Sequence, residues 1–598
     1  MNTTTIAPGR RGSEPPRTDL SEAGRKYARK KALGPFLVLA PSFLLTIGIL
    51  IPFIVAIFYS FTDLTLRSSE FNIIGIGNYV ATFTSPDFWH SVSITLLYAF
   101  CATAVEMLLG LGIALLLNEE NWLSKFLRLV LIFPLMIAPA IGALVWQLMT
   151  NPSVGILRFP LSWIGLGGFR WSADPNWALF SVILIDVWIY TPFVVILALA
   201  GLRSLPKSPY EAALIDGGSA WFVFRNLTLP MLAPVLVIAL IFRLMTSLQE
   251  FAIIFAATRG GPGGRTLSLA LAAYNQAFRF YNLAGSIPML LFLWASIYAV
   301  CFILIGYWRK AQKISSGAVQ IMKQEGNALG AVGSAAKTVL LILYALFALF
   351  PLLWMVILSF KPDSQMFTTT FIFTPTLENF RAVFAESGFV RTLWNNLVVS
   401  VLAVGLSLVI GVPAAYALGR FDFKGKEEIA FTFLSFKFAP EILVIIPLYL
   451  IYQQLHLIDS IVGLIWVYQL ISLPLLIWIL RGFFEDLSKD MEAAAQLDGY
   501  SWWQVFFKIL LPLVKPGLVA AGLLCFIFCW NSFTFALLLG GGNTQTSTVS
   551  VTRFLASDTV HYGWVAAAAL ICALPGIILA LLIQKHLVRG LSFGAVKG

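Results

Sequence analysis

The sequence predicts an all-α polytopic membrane protein of about twelve transmembrane helices arranged in two six-helix halves. Of its 598 residues 59% are hydrophobic and only 12% charged, against roughly 25% charged in soluble globular chains. Twelve apolar stretches approach the length of about 20 residues that crosses a hydrocarbon core. They centre near Leu45, Met107, Leu135, Leu184, Ile241 and Phe292, then near Leu346, Val404, Ile442, Trp466, Leu524 and Leu574. The 40 Lys and Arg residues are concentrated in alternate loops, eight of them between Arg10 and Lys31, the asymmetry that marks cytoplasmic segments. Topology therefore explains the net charge of +11 without a nucleic-acid partner. Both termini fall on the cytoplasmic side, and the main surroundings are the lipid bilayer.

In chain order, residues 1–32 form a basic cytoplasmic tail. It lacks the short apolar region and small-residue cleavage site of a signal peptide, so the first span is expected to be retained. Residues 33–308 make the first half. Residues 309–337 turn to Lys, Gln, Gly, Ser and Ala, a composition suited to a cytoplasmic connector, and residues 338–598 make the second half. The five cysteines (Cys101, Cys301, Cys525, Cys529, Cys572) fall in apolar spans with no metal or redox spacing, and the four histidines are scattered. Neither group suggests a metal site.

A shift of 282 residues superposes one stretch of each half without a gap. Asp216-Gly217 falls on Asp498-Gly499, Ser219 on Ser501, Trp221 on Trp503, Leu229-Pro230 on Leu511-Pro512, and Pro234 on Pro516. Both stretches, near 210–230 and 492–512, lie between the fourth and fifth spans of their half, on the positive side. The residues Glu211-Ala212-Ala213, Gly217, Leu227 and Leu229-Pro230 resemble the EAA loop of ATP-binding-cassette importer membrane subunits. Further stretches place the resemblance in the carbohydrate-uptake branch, with the maltose and glycerol-phosphate permeases: Gly75-Ile76-Gly77-Asn78-Tyr79, Arg259-Gly260-Gly261-Pro262, Ala414-Ala415-Tyr416-Ala417 with Arg420-Phe421, Trp530-Asn531-Ser532-Phe533, and the terminal 590–598.

The resemblance implies a type I importer permease of the bacterial cytoplasmic membrane, with two subunit types fused in one chain. Its partners would be two cytoplasmic ATPase subunits and an extracytoplasmic solute-binding protein, and its solute sugar-like. The residues expected to couple to the ATPases are Glu211, Ala212, Ala213, Asp216, Gly217, Leu229 and Pro230, and in the second half Glu492, Ala494, Asp498, Gly499, Leu511 and Pro512. Small alanines would permit close approach, an acid would face the partner, and each glycine would supply a bend between two short helices. One departure stands out: the position matching Glu211 is Ala493, and the acid Glu492 lies one residue earlier. Gly594, Val596, Lys597 and Gly598 resemble a tail that, in the second subunit type, reaches toward the ATPase interface.

No Gly-x-x-x-x-Gly-Lys-Ser/Thr loop is present to cradle phosphates. Gly260 to Thr266 is the nearest approach, with Arg265 in place of lysine, wrong spacing and an external position. The chain is therefore expected not to be an enzyme and to bind no cofactor, ATP and Mg residing on the partner subunits.

Ionisable residues at membrane depth are expensive and mark functional sites; here they are Glu106, Asp186, Arg243, Glu250, Lys437 and Glu441. Lys437 and Glu441 are four apart, a spacing that pairs opposite charges on one helix. Arg243 and Glu250 are two turns apart and share a face with Thr246 and Ser247. The resemblance carries a sugar site onto Tyr190, Phe193, Arg243, Thr246 and Ser247, flanked by Trp188 and Glu250, an aromatic beside hydroxyl-binding groups. A water-lined seam between bundles remains an alternative, and because Arg bonds carboxylate or phosphate well, so does an anionic sugar. A secondary transporter of two six-span halves driven by an ion gradient is the rival for the whole chain.

Overall fold

The computed structural model describes residues 22–591 apart from 69, 119–121, 164, 166–169, 207, 322–333, 369–370, 387 and 555–560. Among these the chain is helical, with only isolated bridges Thr62–Ile73 and Thr65–Ser68 outside helices, turns and loops. In lipid, backbone N–H and C=O groups find partners only in one another, so each apolar stretch closes its hydrogen bonds within a helix. The first half runs α1 (Glu22–Tyr59), α2 (Pro86–Leu117), α3 (Pro139–Thr150), α4 (Ala178–Ser204), α5 (Ser208–Ile215), α6 (Leu229–Leu248) and α7 (Leu283–Ile321). The second runs α8 (Ser334–Phe360), α9 (Phe389–Arg420), α10 (Glu441–Gln454), α11 (Gln469–Glu485), α12 (Lys489–Leu497), α13 (Lys515–Trp530) and α14 (Tyr562–Leu591).

The expectation of twelve straight spans needs correction. Eight helices among the described residues are long and apolar enough to cross a membrane, ten if each of two bent pairs counts as one. Of the other two, the stretch near Leu45 lies inside α1, and the one near Ile442 is α10, only 14 residues. At 1.5 Å per residue α10 reaches about 21 Å, short of a ~30 Å hydrocarbon core. Proline is the reason. It has no N–H and drives the preceding residue extended, and Ala138 and Ala439 before Pro139 and Pro440 have ψ of 132° and 126°. The segments Ser124–Met136 and Pro139–Thr150 consequently meet at 100°. The same break separates Lys437 from Glu441. The two do not share a helix, no ion pair joins them, and the Lys437 ammonium instead sits 5.2 Å from the Phe528 ring centre.

The halves are interlocked. α1 crosses to pack on α9 and α10, with the Ser42 hydroxyl donating to the Ile410 carbonyl at 3.1 Å. Trp188 on α4 donates to Ala348 O on α8 at 3.0 Å, and Asn531 reaches back to Met136 O at 3.0 Å. Both large apolar cores draw on both halves: one joins Ile113 and Val195 to Val412 and Leu476, the other Trp146 and Ile189 to Trp354 and Val565. The last helix of the first half continues to Ile321, into the expected connector, and the next begins at Ser334.

Beyond the C-terminal end of α10, residues 540–544 wrap around one carboxylate. Asp459 accepts from the backbone N–H groups of Gly541 (3.0 Å), Asn543 (3.1 Å) and Thr544 (2.8 Å), and from the Thr544 hydroxyl at 2.8 Å. Partial burial opposes ionisation, but these donors outweigh it and hold the carboxyl below its ordinary value. A depressed folded value means that the stabilisation is fully present above the unfolded carboxylate pKa, about 3.9, and is lost as pH falls through the lower, folded one. Asp459→Ala, leaving backbone donors unmatched at a local cost of about 1–3 kcal/mol, is expected to speed amide hydrogen exchange at Asn543 and Thr544 at neutral pH. Wild-type protein should show the same loosening only below the ordinary carboxylate range.

Candidate functional site

The two repeated loops adopt the same sequence of elements at the same 282-residue separation. α5 ends at Ile215 and α12 at Leu497. Gly217 and Gly499 then turn with φ of +69° and +87°, a left-handed bend that glycine adopts without strain. Ser219 and Ser501 cap the short helices Ala220–Val223 and Trp502–Val505. Five-residue π-turns follow, Phe224–Thr228 and Phe506–Leu510. Pro230 and Pro512 explain these turns: with no N–H to continue the α-helical ladder, the preceding Leu229 and Leu511 bond five residues back, to Phe224 O and Phe506 O.

Each loop presents large apolar side chains to its surroundings at matching positions. Ile215 is 69% and Trp221 67% exposed, and their counterparts Leu497 and Trp503 are 88% and 61% exposed. Asp216 and Asp498 are exposed beside them, whereas Ala213 and Ala495 are buried against the bundle. Glu211 and Ala212 are half-buried and Ala494 is exposed.

The displaced acid of the second loop has a structural explanation. Glu492 falls 282 residues after Tyr210, and both side chains anchor their loop. The Tyr210 hydroxyl donates to Thr228 Oγ1 at 3.1 Å, while Glu492 receives Arg420 Nε at 2.6 Å, with Arg420 also donating to the carbonyls of Leu487 and Ser488. Glu492 is thus turned toward the span, not offered to a partner as the sequence suggested. Trp502 reinforces the attachment by donating to the Tyr416 hydroxyl at 3.1 Å, amid Phe421, Phe484 and Phe506. Ala495, Val505, Phe506 and Leu510 belong to a main core, whereas Ala213, Val223, Leu227 and Met231 form a small cluster of their own. The second loop is therefore fused to the bundle, and the first is joined to it more narrowly. Gly594, Val596, Lys597 and Gly598 lie outside the described residues.

At membrane depth Arg243 closes a network across three helices. From α6 its Nε and Nη2 both reach the Glu106 carboxylate on α2, the latter at 2.8 Å, and Nη2 also reaches Asp186 Oδ2 on α4 at 2.9 Å. Nη1 donates to Thr246 at 2.7 Å and Nη2 to Ser247 at 2.9 Å, and Ser247 in turn donates to Asp186. The Tyr190 ring covers the guanidinium face, 4.0 Å from its carbon. Arg243 is 2% exposed.

The remaining residues of the expected solute face are spread around this tie. Phe193 lies edge-on to Phe242. Trp188 is buried against the second half, and Glu250 accepts the N–H of Ile253 at 2.8 Å, at the start of the helix Ala252–Ala257. Recesses of about 480 and 370 Å³ open elsewhere, beside Arg391 and Trp564 and beside Gln147 and Trp171. Sequence reasoning noted Glu106 and Asp186 without a partner; they lie 137 and 57 positions from Arg243, a separation that periodicity cannot bridge. Arg420 belonged to a family stretch whose role the sequence left unstated.

The corresponding three spans of the second half are joined by neutral groups. Ser407 on α9 donates to Gln469 of α11 at 2.6 Å and lies 2.5 Å from the Ser472 hydroxyl, and Cys525 on α13 donates to Ser472 O at 3.4 Å.

Interlocked helical halves, spans tied by buried polar groups and twin loops on the basic side define a membrane transport component. The chain belongs to the family of binding-protein-dependent transport system inner membrane components, which it matches over residues 106–311 and again over 328–593. It is 35% identical to the trehalose/maltose transport system permease protein MalF of Thermococcus litoralis over 48% of this chain and 97% of that one. It is 36% identical to the trehalose transport system permease protein SugB of Mycobacterium tuberculosis, over 42% and 92%. It is 32% identical to the diacetylchitobiose uptake system permease protein DasC of Streptomyces coelicolor, over 42% and 91%. Each relative is matched over nearly its full length by less than half of this chain, so two permease units are fused here. The family favours the importer over the ion-driven transporter.

Arg243→Ala, which leaves two buried carboxylates without their cation, is expected to lower stability by about 3–5 kcal/mol, read as a lower thermal midpoint of the purified protein. The neutral triple variant Glu106→Gln, Asp186→Asn, Arg243→Met should recover most of the loss. No recovery would assign the effect to packing rather than charge.

Proposed function

We propose that this chain is the complete solute path of an ATP-binding-cassette importer for a carbohydrate, receiving its solute from an external binding protein and coupling to two cytoplasmic ATPase subunits. The observation that carries the coupling is the pair of loops. A flexible surface segment would not reproduce the same helix, glycine bend, capped turn and π-turn 282 residues apart, nor expose Ile215 and Trp221 on one loop and Leu497 and Trp503 on the other. Exposed apolar patches rimmed by polar groups mark protein partners. On this reading the apolar pairs enter sockets on the ATPases, with Asp216 and Asp498 at their rims. ATP and Mg act on the partner subunits, whose closure moves both loops as rigid levers. The sidedness of the basic loops supports a cytoplasmic location for both termini.

For the solute, the names of the relatives support a sugar, and the Arg243 face supports a site. Tyr190 offers an aromatic surface, while Phe193, Thr246 and Ser247 border it. A sugar ring stacked there would exchange hydroxyl hydrogen bonds with groups now bonded among themselves, with Trp188 and Glu250 at its margins. Opening that face is the alternate-access step.

Co-purification with the cognate ATPase subunits tests the coupling. Trp221→Asp and Trp503→Asp together are expected to abolish the complex and ATP-driven uptake while leaving the thermal midpoint of the isolated chain within a few degrees. Retention of the complex at wild-type affinity in the double variant would remove the loops from the docking surface. Uptake that survives ATP depletion and collapses with the proton gradient would overturn the importer reading itself.

A further inference from the structure

We propose that the Glu106–Asp186–Arg243 tie makes this permease select uncharged, hydroxyl-rich solutes over anionic ones; the inference rests on the carbohydrate reading above and concerns the same face. Arg243 is the group that would attract a sugar acid or sugar phosphate, yet each of its three nitrogens already donates within the tie. Nε and Nη2 serve Glu106, Nη2 also serves Asp186 and Ser247, Nη1 serves Thr246, and Tyr190 covers the ring plane. An anionic solute would have to displace a carboxylate that is buried, bidentate and held on another helix. A neutral sugar needs only the exchange of Thr246 and Ser247 hydroxyl bonds, which leaves the ion contacts standing.

The field around the tie points the same way. Glu106 and Asp186 set two carboxylates against one guanidinium, and Glu250 stands seven residues after Arg243, past the end of α6 at Leu248 and so off the helical face expected from their spacing. The other membrane-depth cation, Lys437, is accompanied by Glu441 and sits over the Phe528 ring. Four acids thus stand against two cations, so acidic groups outnumber cations around the face. Unit charges inside a protein are weakly screened, so a solute carboxylate has to compete with Glu106 and Asp186 for Arg243. The second half offers no counterweight, since its matching tie of Ser407, Gln469, Ser472 and Cys525 is neutral.

The experiment uses proteoliposomes that carry the full chain with its ATPase subunits, the external binding protein and enclosed ATP. Uptake of radiolabelled maltose and trehalose is compared with uptake of the same disaccharides oxidised to the uronate. The binding protein is common to every sample and cancels from the ratio between variants. Wild type is expected to favour the neutral sugars by about tenfold or more, the order that one opposed charge at close range produces. Asp186→Asn and Glu250→Gln should each raise the anionic-to-neutral ratio by about threefold or more. Glu250→Gln keeps an acceptor for Ile253 N–H and lies outside the tie, so it remains readable if Asp186→Asn does not fold.

Equal uptake of both forms by wild type, or a ratio unmoved by the variants, overturns the proposal. Uronate uptake that depends on Lys437, as judged by Lys437→Met, overturns it in favour of an anion site there. Uptake of neither form, with a binding protein shown to bind maltose or trehalose, overturns the carbohydrate reading and the charge selection together, which separates that failure from the others.

Discussion

Within a bilayer no water is at hand to replace a lost hydrogen bond, so a polar group on one span is satisfied by another span or not at all. The Arg243 tie is the strongest case of this constraint. One guanidinium on α6 holds carboxylates on α2 and α4, and the relative placement of these three helices follows from its rigid fork geometry. The second half ties the matching spans through Ser407, Gln469 and Ser472. A neutral tie can exchange partners at low energetic cost, whereas a charged one resists opening unless something replaces the lost contact. The two halves therefore share an architecture and differ in how firmly it is clamped.

The clamps and the repeated loops are both asymmetric between the halves, and the two asymmetries run in opposite directions. The first half has the charged tie and a loop joined to the bundle through Tyr210 and a small cluster. The second has the neutral tie and a loop fused to the core through Arg420, Tyr416 and Trp502. Force applied at the second loop would reach α9 and α11 directly. At the first it would travel mainly along α6, the helix that carries Arg243. Interlocking of the halves through α1 and α8 makes neither motion independent, because both cores contain residues of both.

Much of this was legible in the chain. The apolar runs, the sidedness of Lys and Arg and the 282-residue repeat follow from rules that act locally or at fixed period, and the structure reproduces the repeat down to the glycine bends and π-turns. What failed to be legible has identifiable causes. The apolar stretches near Leu135 and Ile442 read as continuous spans although Pro139 and Pro440 break them, since an apolar run registers hydropathy and not backbone continuity. Lys437 and Glu441 looked like a helical pair because the break between them carries no apolar signal. Glu492 looked outward-facing because its partner Arg420 lies 72 positions away.

The sequence by itself determined that this is a twice-repeated, membrane-embedded helical permease with two loops built alike, because hydropathy, charge sidedness, glycine and proline act on the chain wherever it is placed. Only the tertiary structure decided which buried charges meet. Glu106, Asp186 and Arg243 are separate anomalies along the chain, and they become one hydrogen-bonded ion network only when three helices converge, because an interaction between charges depends on distance in space and on the surrounding dielectric, neither of which the order of residues contains.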